Sequence, residues 1–290
     1  MARAQAGQQG KAGGMSATDF VARVGPALFD AFAHADAAPS LDVSFLKHSA
    51  HSVVFRAEMD GGDVVVKVFG EGEKASDRYQ RELGAMEAAR ASGLVPRLRG
   101  HEPRTRAVIR DFVPGRPLNE SVTSRTLAAT CTRLGRWYGA FSRIRRVDGT
   151  SGNWGEYLDG VAALDGCGAI SDVSLFLRDF DFPCVSLAKN DAALSNFILS
   201  PDRGLLGIDF ECARFKPLGW DILLTARALS RNWPGRTDEV CDILCREFCR
   251  SGIGHFDRFR VLTKSFVIGS LFEKTFISEA PNARDAHDQH

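Results

Sequence analysis

The sequence predicts an α+β chain in two lobes, because its patterns segregate. Strand-like segments cluster in residues 43–113, and helical patterns dominate the rest. A Pro-Gly break, Val113-Pro114-Gly115, falls at the border between the two regions. With 290 residues and 44% hydrophobic content, the chain can build a sizeable core, as one bilobal unit or two small domains. The boundaries expected are a disordered stretch over residues 1–15, a first lobe over 16–113, a second over 114–280 and a loose tail over 281–290.

In the first lobe, Ser52 to Glu58 alternates as a strand does, Asp60-Gly61-Gly62-Asp63 is a turn, and Val64 to Phe69 is a second, β-branched strand. Lys67 interrupts that apolar run, on one face with Val65 and Phe69. A lysine there is costly unless an anion meets it; on an edge strand it would instead point to water and guard against aggregation. A helix follows over Ala75–Ser92, closed by Gly93, with Leu83, Met86 and Ala89 or Arg90 inward. Glu82 borders that apolar stripe, fifteen positions after Lys67, and Glu87 is the competing acid. Ala107 to Asp111 is a strand running into the Pro-Gly break.

In the second lobe, residues 124–145 read as a helix with Leu127, Leu134, Trp137, Tyr138 and Phe141 on its apolar side. A loop over Gly149–Gly155 and helices over 156–164 and 173–180 come next. Asp221 opens another apolar helix, where a plain N-cap accounts for it as well as any other role.

The segment from Asp191 to Glu211 carries the chemistry. It reads as a loop, a strand ending at Leu199, a turn at Ser200–Gly204 and a second strand running into Asp209. The hairpin brings Asn196 and Asp209 to one end of a strand pair, with Asp191 on the loop before it. Phosphoryl transfer uses such a set: a carboxylate that orients a hydroxyl, an amide oxygen on a metal, and a second carboxylate linking metal to phosphates.

This stretch resembles the aminoglycoside phosphotransferase and choline kinase branch of the protein-kinase-like fold. There the catalytic loop runs His-Gly-Asp, four residues and Asn, with a hairpin leading to Ile-Asp-Phe. The spacing holds here, as Asp191, Asn196 and Ile208-Asp209-Phe210, while Lys189-Asn190 stands where the family has His-Gly. The resemblance covers roughly residues 39–225. It implies a nucleotide-binding first lobe, a second lobe with the catalytic loop and substrate site, and ATP and Mg²⁺ as cofactors. Asp191 is then the catalytic residue, and Asn196 and Asp209 hold the metal. Lys67 binds the α- and β-phosphates and is steadied by Glu82. Backbone groups of Asp111 and Val113 meet the adenine edge. Ser49 and Ser52, in a loop without glycine, offer donors to phosphate oxygens.

A formal net charge of +1 gives no electrostatic case for nucleic acid or an anionic membrane. No apolar run approaches the roughly 20 residues of a membrane span. The Ala/Gly/Gln-rich start has no apolar signal core, and Met15 is an alternative first residue. Seven cysteines without framework spacing fit a reducing compartment, and the expected localisation is cytoplasmic. Cys241, Cys245 and Cys249 recur every four residues beside Val240, Leu244 and Phe248. That is a buried helix stripe, in which cysteine serves as a small apolar residue rather than a metal ligand.

The leading functional reading is a kinase transferring the ATP γ-phosphoryl group to a hydroxyl of a small molecule. From Asp221 to the end, ten acidic residues face ten basic ones, which leans away from a polycationic aminoglycoside and towards a neutral or anionic alcohol. A protein Ser/Thr kinase is a second reading, opposed by the eleven positions from Asp209 to Trp220, too few for a long activation segment. A pseudokinase is the third, favoured by Lys189-Asn190 and the glycine-free loop.

Overall fold

The structure, a computed structural model, describes residues 42–49, 51–58, 62–148, 184–250 and 256–277. The expected disordered start, part of the Asp60–Asp63 turn, the 149–155 loop, the helices over 156–164 and 173–180 and the tail lie outside the described residues. Two compact units form: Met1–Leu118 with Ser195–Ala213, and Asn119–Leu194 with Arg214–His290. The fold is α+β, with an antiparallel β lobe carrying one long helix and a mostly helical lobe.

The first unit is built on strands β1 (Asp42–His48), β2 (Ser52–Glu58), β3 (Val64–Phe69), β4 (Leu98–Glu102) and β5 (Ala107–Asp111). They form an antiparallel sheet in the order β1-β2-β3-β5-β4. The β-branched run of β3 therefore sits in the middle, and all six of its residues are buried, Lys67 included. Lys67 opposes Val54 on one side and Val108 on the other. Opposed residues share a face, so Val54, Lys67 and Val108 line up. With a period of two, Val65 and its partner Arg110 lie on that face too. A bulge between Phe45 and Lys47 makes Lys47, rather than Leu46, the partner of Val54. A one-residue shift of this kind swaps faces, and it brings Lys47 to the side of Lys67.

Helix α1 (Glu73–Ala88) buries Ala75, Tyr79, Glu82, Leu83 and Met86, a stripe at three- and four-residue intervals. Each large apolar side chain buried there contributes about 1.5–3 kcal/mol. The helix ends before the expected Ser92. The Ser92 hydroxyl donates to the Ala89 carbonyl and accepts from Leu94 N–H, which bends the chain into a turn. Gly93 then takes a left-handed φ of 71°.

Three further strands complete this unit: β6 (Arg116–Pro117), β9 (Phe197–Ser200) and β10 (Gly204–Gly207). The β9–β10 hairpin pairs Phe197 with Gly207, and β6 adds on through Arg116 and Leu199.

The second unit contains a short helix α2 (Leu118–Ser121) at its border, then α3 (Leu127–Ser142), α4 (Trp220–Asn232), α5 (Thr237–Cys249) and α6 (Phe256–Ile277). The apolar sides of α3 and α5 pack together: Cys131, Leu134, Tyr138 and Phe141 are buried, as are Val240, Cys241, Leu244, Cys245 and Phe248. Gly135 makes the close approach possible, since a Cβ there would stand 2.8 Å from both the Glu247 Cβ and the Leu244 carbonyl oxygen. The cysteine stripe is core, with Cys249 at its rim. A small sheet in the order β11-β8-β7, from Arg214–Pro217, Cys184–Ala188 and Arg146–Asp148, leads into the 189–191 loop. None of its strands is evident from the sequence, because each is short and lacks a clear alternation. Among the described residues no helix is long and apolar enough to cross a membrane.

Candidate active site

The shared face of the first unit's sheet and the end of the β9–β10 hairpin enclose a cavity of about 320 Å³. Lys47, Ser49, Ser52, Lys67, Glu82, Arg110, Asn196, Asp209 and Glu211 line it, with Leu46, Val54 and Ile208 as apolar walls. Asp111 and Val113 are not part of that lining.

Lys67 is the hub. Its ammonium lies 2.8 Å from Glu82 Oε2, 2.5 Å from Asp209 Oδ1 and 2.9 Å from Glu211 Oε2. Glu82 is 1% exposed and also accepts from Phe210 N–H at 3.1 Å, so both charge and backbone fix it. Arg78 holds Glu211 from the other side at 2.6 Å. Burial alone would lower the Lys67 pKa; Glu82, Asp209 and Glu211 outweigh it and hold the ammonium above the ordinary lysine range. Burial likewise lowers Arg110, opposed by Glu82 and Asp209. Lys47 completes the set, 3.7 Å from Asp209 Oδ2. Three carboxylates thus face four cations, Lys47, Lys67, Arg78 and Arg110, so that no buried carboxylate of the cluster lacks a counter-charge.

Asn196 is buried in a single turn of 3₁₀ helix just before β9, and its carbonyl accepts from Ile208 N–H at 2.9 Å. Asp209 follows with a left-handed φ of 63°, rare for a non-glycine residue and frequent at functional sites. The hairpin therefore brings Asn196 and Asp209 to one cavity, while α1 and β3 bring Glu82 and Lys67. Ser49 and Ser52 reach the cavity but close a turn on themselves. Ser49 Oγ accepts from Ser52 N–H at 3.0 Å and from His51 N–H at 3.2 Å, and the two hydroxyls meet at 3.1 Å. Asp111 ends β5, its N–H donating to the Arg97 carbonyl at 2.9 Å and its carboxylate paired with Arg99; Val113 is buried beyond it.

Asp191 belongs to the second unit. Its Oδ1 accepts from Ala193 N–H at 2.8 Å, and its Oδ2 lies 3.6 Å from the ammonium of Lys189, which is fully buried. Asn190 has a φ of 58°, a left-handed backbone that asparagine tolerates better than most residues. It therefore meets the backbone demand that a glycine would meet at this place. Its side-chain oxygen accepts from Trp220 Nε1 at 2.6 Å. Asp221, in the first turn of α4, accepts from Lys189 N–H at 2.8 Å and Asn190 N–H at 2.7 Å. It thus braces the loop rather than capping its own helix, whose N-cap is Gly219. Burial pushes the Asp221 carboxyl up to about 6, against the pull of those two N–H groups and of Lys189.

Sequence reasoning missed Glu211, Arg110 and Lys47. Arg110 gave the same signal as Lys67, a charge inside an apolar strand. Glu211 was visible only as the acid two residues after Asp209. Lys47 reaches the cavity through the β1 bulge, which nothing in the sequence marks.

No family model matches this chain, and no curated protein is similar to it in sequence. Solved structures are similar in fold. A macrolide 2'-phosphotransferase from Brachybacterium faecium superposes with a TM-score of 0.55 at 14% identity, covering 86% of this chain and 93% of its own. An ethanolamine kinase from Plasmodium vivax gives 0.57 at 14% identity, over 80% and 73%. A putative aminoglycoside phosphotransferase from Ralstonia eutropha gives 0.56 at 16% identity, over 90% and 92%. The chain therefore has the bilobal protein-kinase-like fold of the aminoglycoside phosphotransferases and the choline and ethanolamine kinases.

Proposed function

We propose that the protein is an ATP- and Mg²⁺-dependent phosphotransferase acting on a hydroxyl of a small molecule. The observation that carries this reading is Lys67, held between Glu82 and Asp209 at the wall of a cavity that Asn196 also lines. A buried lysine beside carboxylates and an amide is a poor structural device, and a good receptor for a triphosphate and a hard cation. The donor set fits magnesium, since Asn196 and Asp209 offer an amide oxygen and carboxylate oxygens into one cavity. When bound, the ion would supply charge neutralisation to the β- and γ-phosphates.

Lys67 would bind the α- and β-phosphates, with Glu82 fixing its direction. Asp191, five positions before Asn196 in the chain, would orient the acceptor hydroxyl and take its proton. The hydroxyl oxygen forms a bond to the γ-phosphorus as the bond from γ-phosphorus to the β–γ bridging oxygen breaks, leaving ADP. Such a loose transition state asks the protein for positioning and charge more than for covalent chemistry. The structural neighbours act on macrolides, aminoglycosides, choline and ethanolamine, which supports a small hydroxyl compound as acceptor. ADP release measured across a panel of hydroxylated metabolites and antibiotics tests this. Acceptor-dependent turnover that needs Mg²⁺ is expected, and ATP binding without turnover on any acceptor would favour an inactive nucleotide binder.

A further inference from the structure

We infer that Lys47 is a phosphate-binding residue that takes the role left open by a nucleotide loop without glycine. This rests on the nucleotide reading above. In the turn after β1, the backbone donors of Ser49, His51 and Ser52 and the two serine hydroxyls are already engaged with one another. Ser49 N–H donates to the Ser52 carbonyl at 2.9 Å, and Ser52 N–H and His51 N–H both donate to Ser49 Oγ. The Ser49 and Ser52 hydroxyls are 3.1 Å apart. Among the described residues of this turn, those backbone N–H groups and serine hydroxyls have little left to offer a phosphate oxygen.

The adjacent strand supplies a cation instead. The β1 bulge makes Lys47 the partner of Val54, which in turn opposes Lys67, so both lysines stand on the face that lines the cavity. Without the bulge, Leu46 would hold that place and Lys47 would turn to the opposite face. The Lys47 ammonium lies 3.7 Å from Asp209 Oδ2, while Lys67 occupies Oδ1 at 2.5 Å. The two lysines differ in freedom. Lys67 is 6% exposed and fixed by three carboxylates, whereas Lys47 is 58% exposed on a flexible stem. With a metal ion on Asp209, the ammonium of Lys47 would be repelled from its carboxylate partner, whereas Lys67 would still be held by Glu82 and Glu211. The nearest acceptors for Lys47 are then the terminal phosphates, which the metal and Asp209 would bring to the same corner. Lys47 is therefore a mobile counter-charge that rests on Asp209 and passes to the β- or γ-phosphate, while Lys67 remains fixed.

Calorimetric titration of the full chain with Mg·ATP and with AMP, for wild type, Lys47→Met and Lys47→Arg, tests this. Loss of a charge-assisted contact should weaken ATP binding about ten- to a hundredfold. AMP binding should stay unchanged, Lys47→Arg should retain most of the ATP affinity, and melting of the Lys47→Met protein should match wild type. Equal affinities for ATP in wild type and Lys47→Met would overturn the inference while leaving the nucleotide site standing. Tighter ATP binding in Lys47→Met would also overturn it, showing Lys47 to be only a competitor for Asp209. Equal weakening of ATP and AMP would assign it a general structural effect and overturn it as well. A wild-type protein that binds no nucleotide would remove the underlying reading and this inference with it.

Discussion

Lys67 and Asp209, 142 positions apart in the chain, meet at 2.5 Å in a cavity wall. The contact joins a sheet to a hairpin that the sequence places far downstream, and Glu82 and Glu211 flank it. Three carboxylates share this ammonium, and Glu82, the most buried of them, has it as its close ion-pair partner, while Arg78 and Lys47 also pair with Glu211 and Asp209. Removing it as Lys67→Met should destabilise the fold by about 3–5 kcal/mol, the usual cost of stranding a buried charge. A Lys67→Met, Glu82→Met double variant should recover much of that loss, because the most buried carboxylate goes with its partner. Urea titration of the two variants and wild type measures both effects. Nucleotide-dependent turnover should be absent from both.

Asp191→Ala should lower phosphotransfer by at least about a hundredfold, the scale of losing a positioned acid–base group. Lys189→His should be tolerated in turnover, since the backbone of this loop is set by Asp221 and by the left-handed Asn190. Steady-state rates on an identified acceptor compare the two. Wild-type rates in Asp191→Ala would show that another group takes the hydroxyl proton.

Asp221 gives a pH signature. Its folded pKa is raised from 3.8 to about 6, so the protonated carboxyl favours the folded state. That stabilising contribution is full below about pH 4 and is lost as pH rises through about 6. At low pH, however, the added proton competes with one of the two N–H groups that Asp221 accepts, so the 189–190 loop loosens while the fold does not. Unfolding free energies measured from pH 4 to 7 should carry this slope in wild type and lack it in Asp221→Asn.

Glycine positions separate crowded from open space. Gly219 has a φ of 91°, and a Cβ there would lie 1.8 Å from Phe259 Cζ. Gly219→Ala combines strain with overpacking and should cost about 3 kcal/mol or more. Gly84, inside α1, has nothing within 4 Å of a built Cβ. Gly84→Ala should stabilise by about 0.5–1 kcal/mol through helix propensity. Denaturant midpoints of the two variants should shift in opposite directions.

The buried thiols should be inert. Burial pushes Cys131, Cys241 and Cys245 up to about 12, and the last also meets Thr263 Oγ1 at 3.2 Å. Alkylation at pH 8 followed by peptide mass spectrometry should leave these three unmodified in the native protein and label them in urea.

Much of the fold was readable because its determinants are local. Val64 to Phe69 is valine at every position but Lys67 and Phe69, the α1 stripe repeats every three to four residues, and the 196–209 hairpin has its turn residues in place. Lys67, Glu82, Asn196 and Asp209 stood out as polar groups that interrupt or end those patterns. Lys47 and the small β7-β8-β11 sheet depend on a bulge and on pairings between distant short segments, which leave no periodic trace. The exchange of His-Gly for Lys189-Asn190 looked disruptive as letters. In three dimensions Asn190 adopts the left-handed backbone, and Lys189 is buried beside Asp191.

Titration of the wild-type chain and Asp209→Asn with ATP, in the presence and absence of Mg²⁺, bears most directly on the central claim. Saturable binding at one site per chain is predicted for wild type with Mg²⁺, with a large loss in Asp209→Asn while its circular dichroism stays native. Failure of the wild-type protein to bind ATP, or unchanged Mg²⁺-dependent binding in Asp209→Asn, would contradict it.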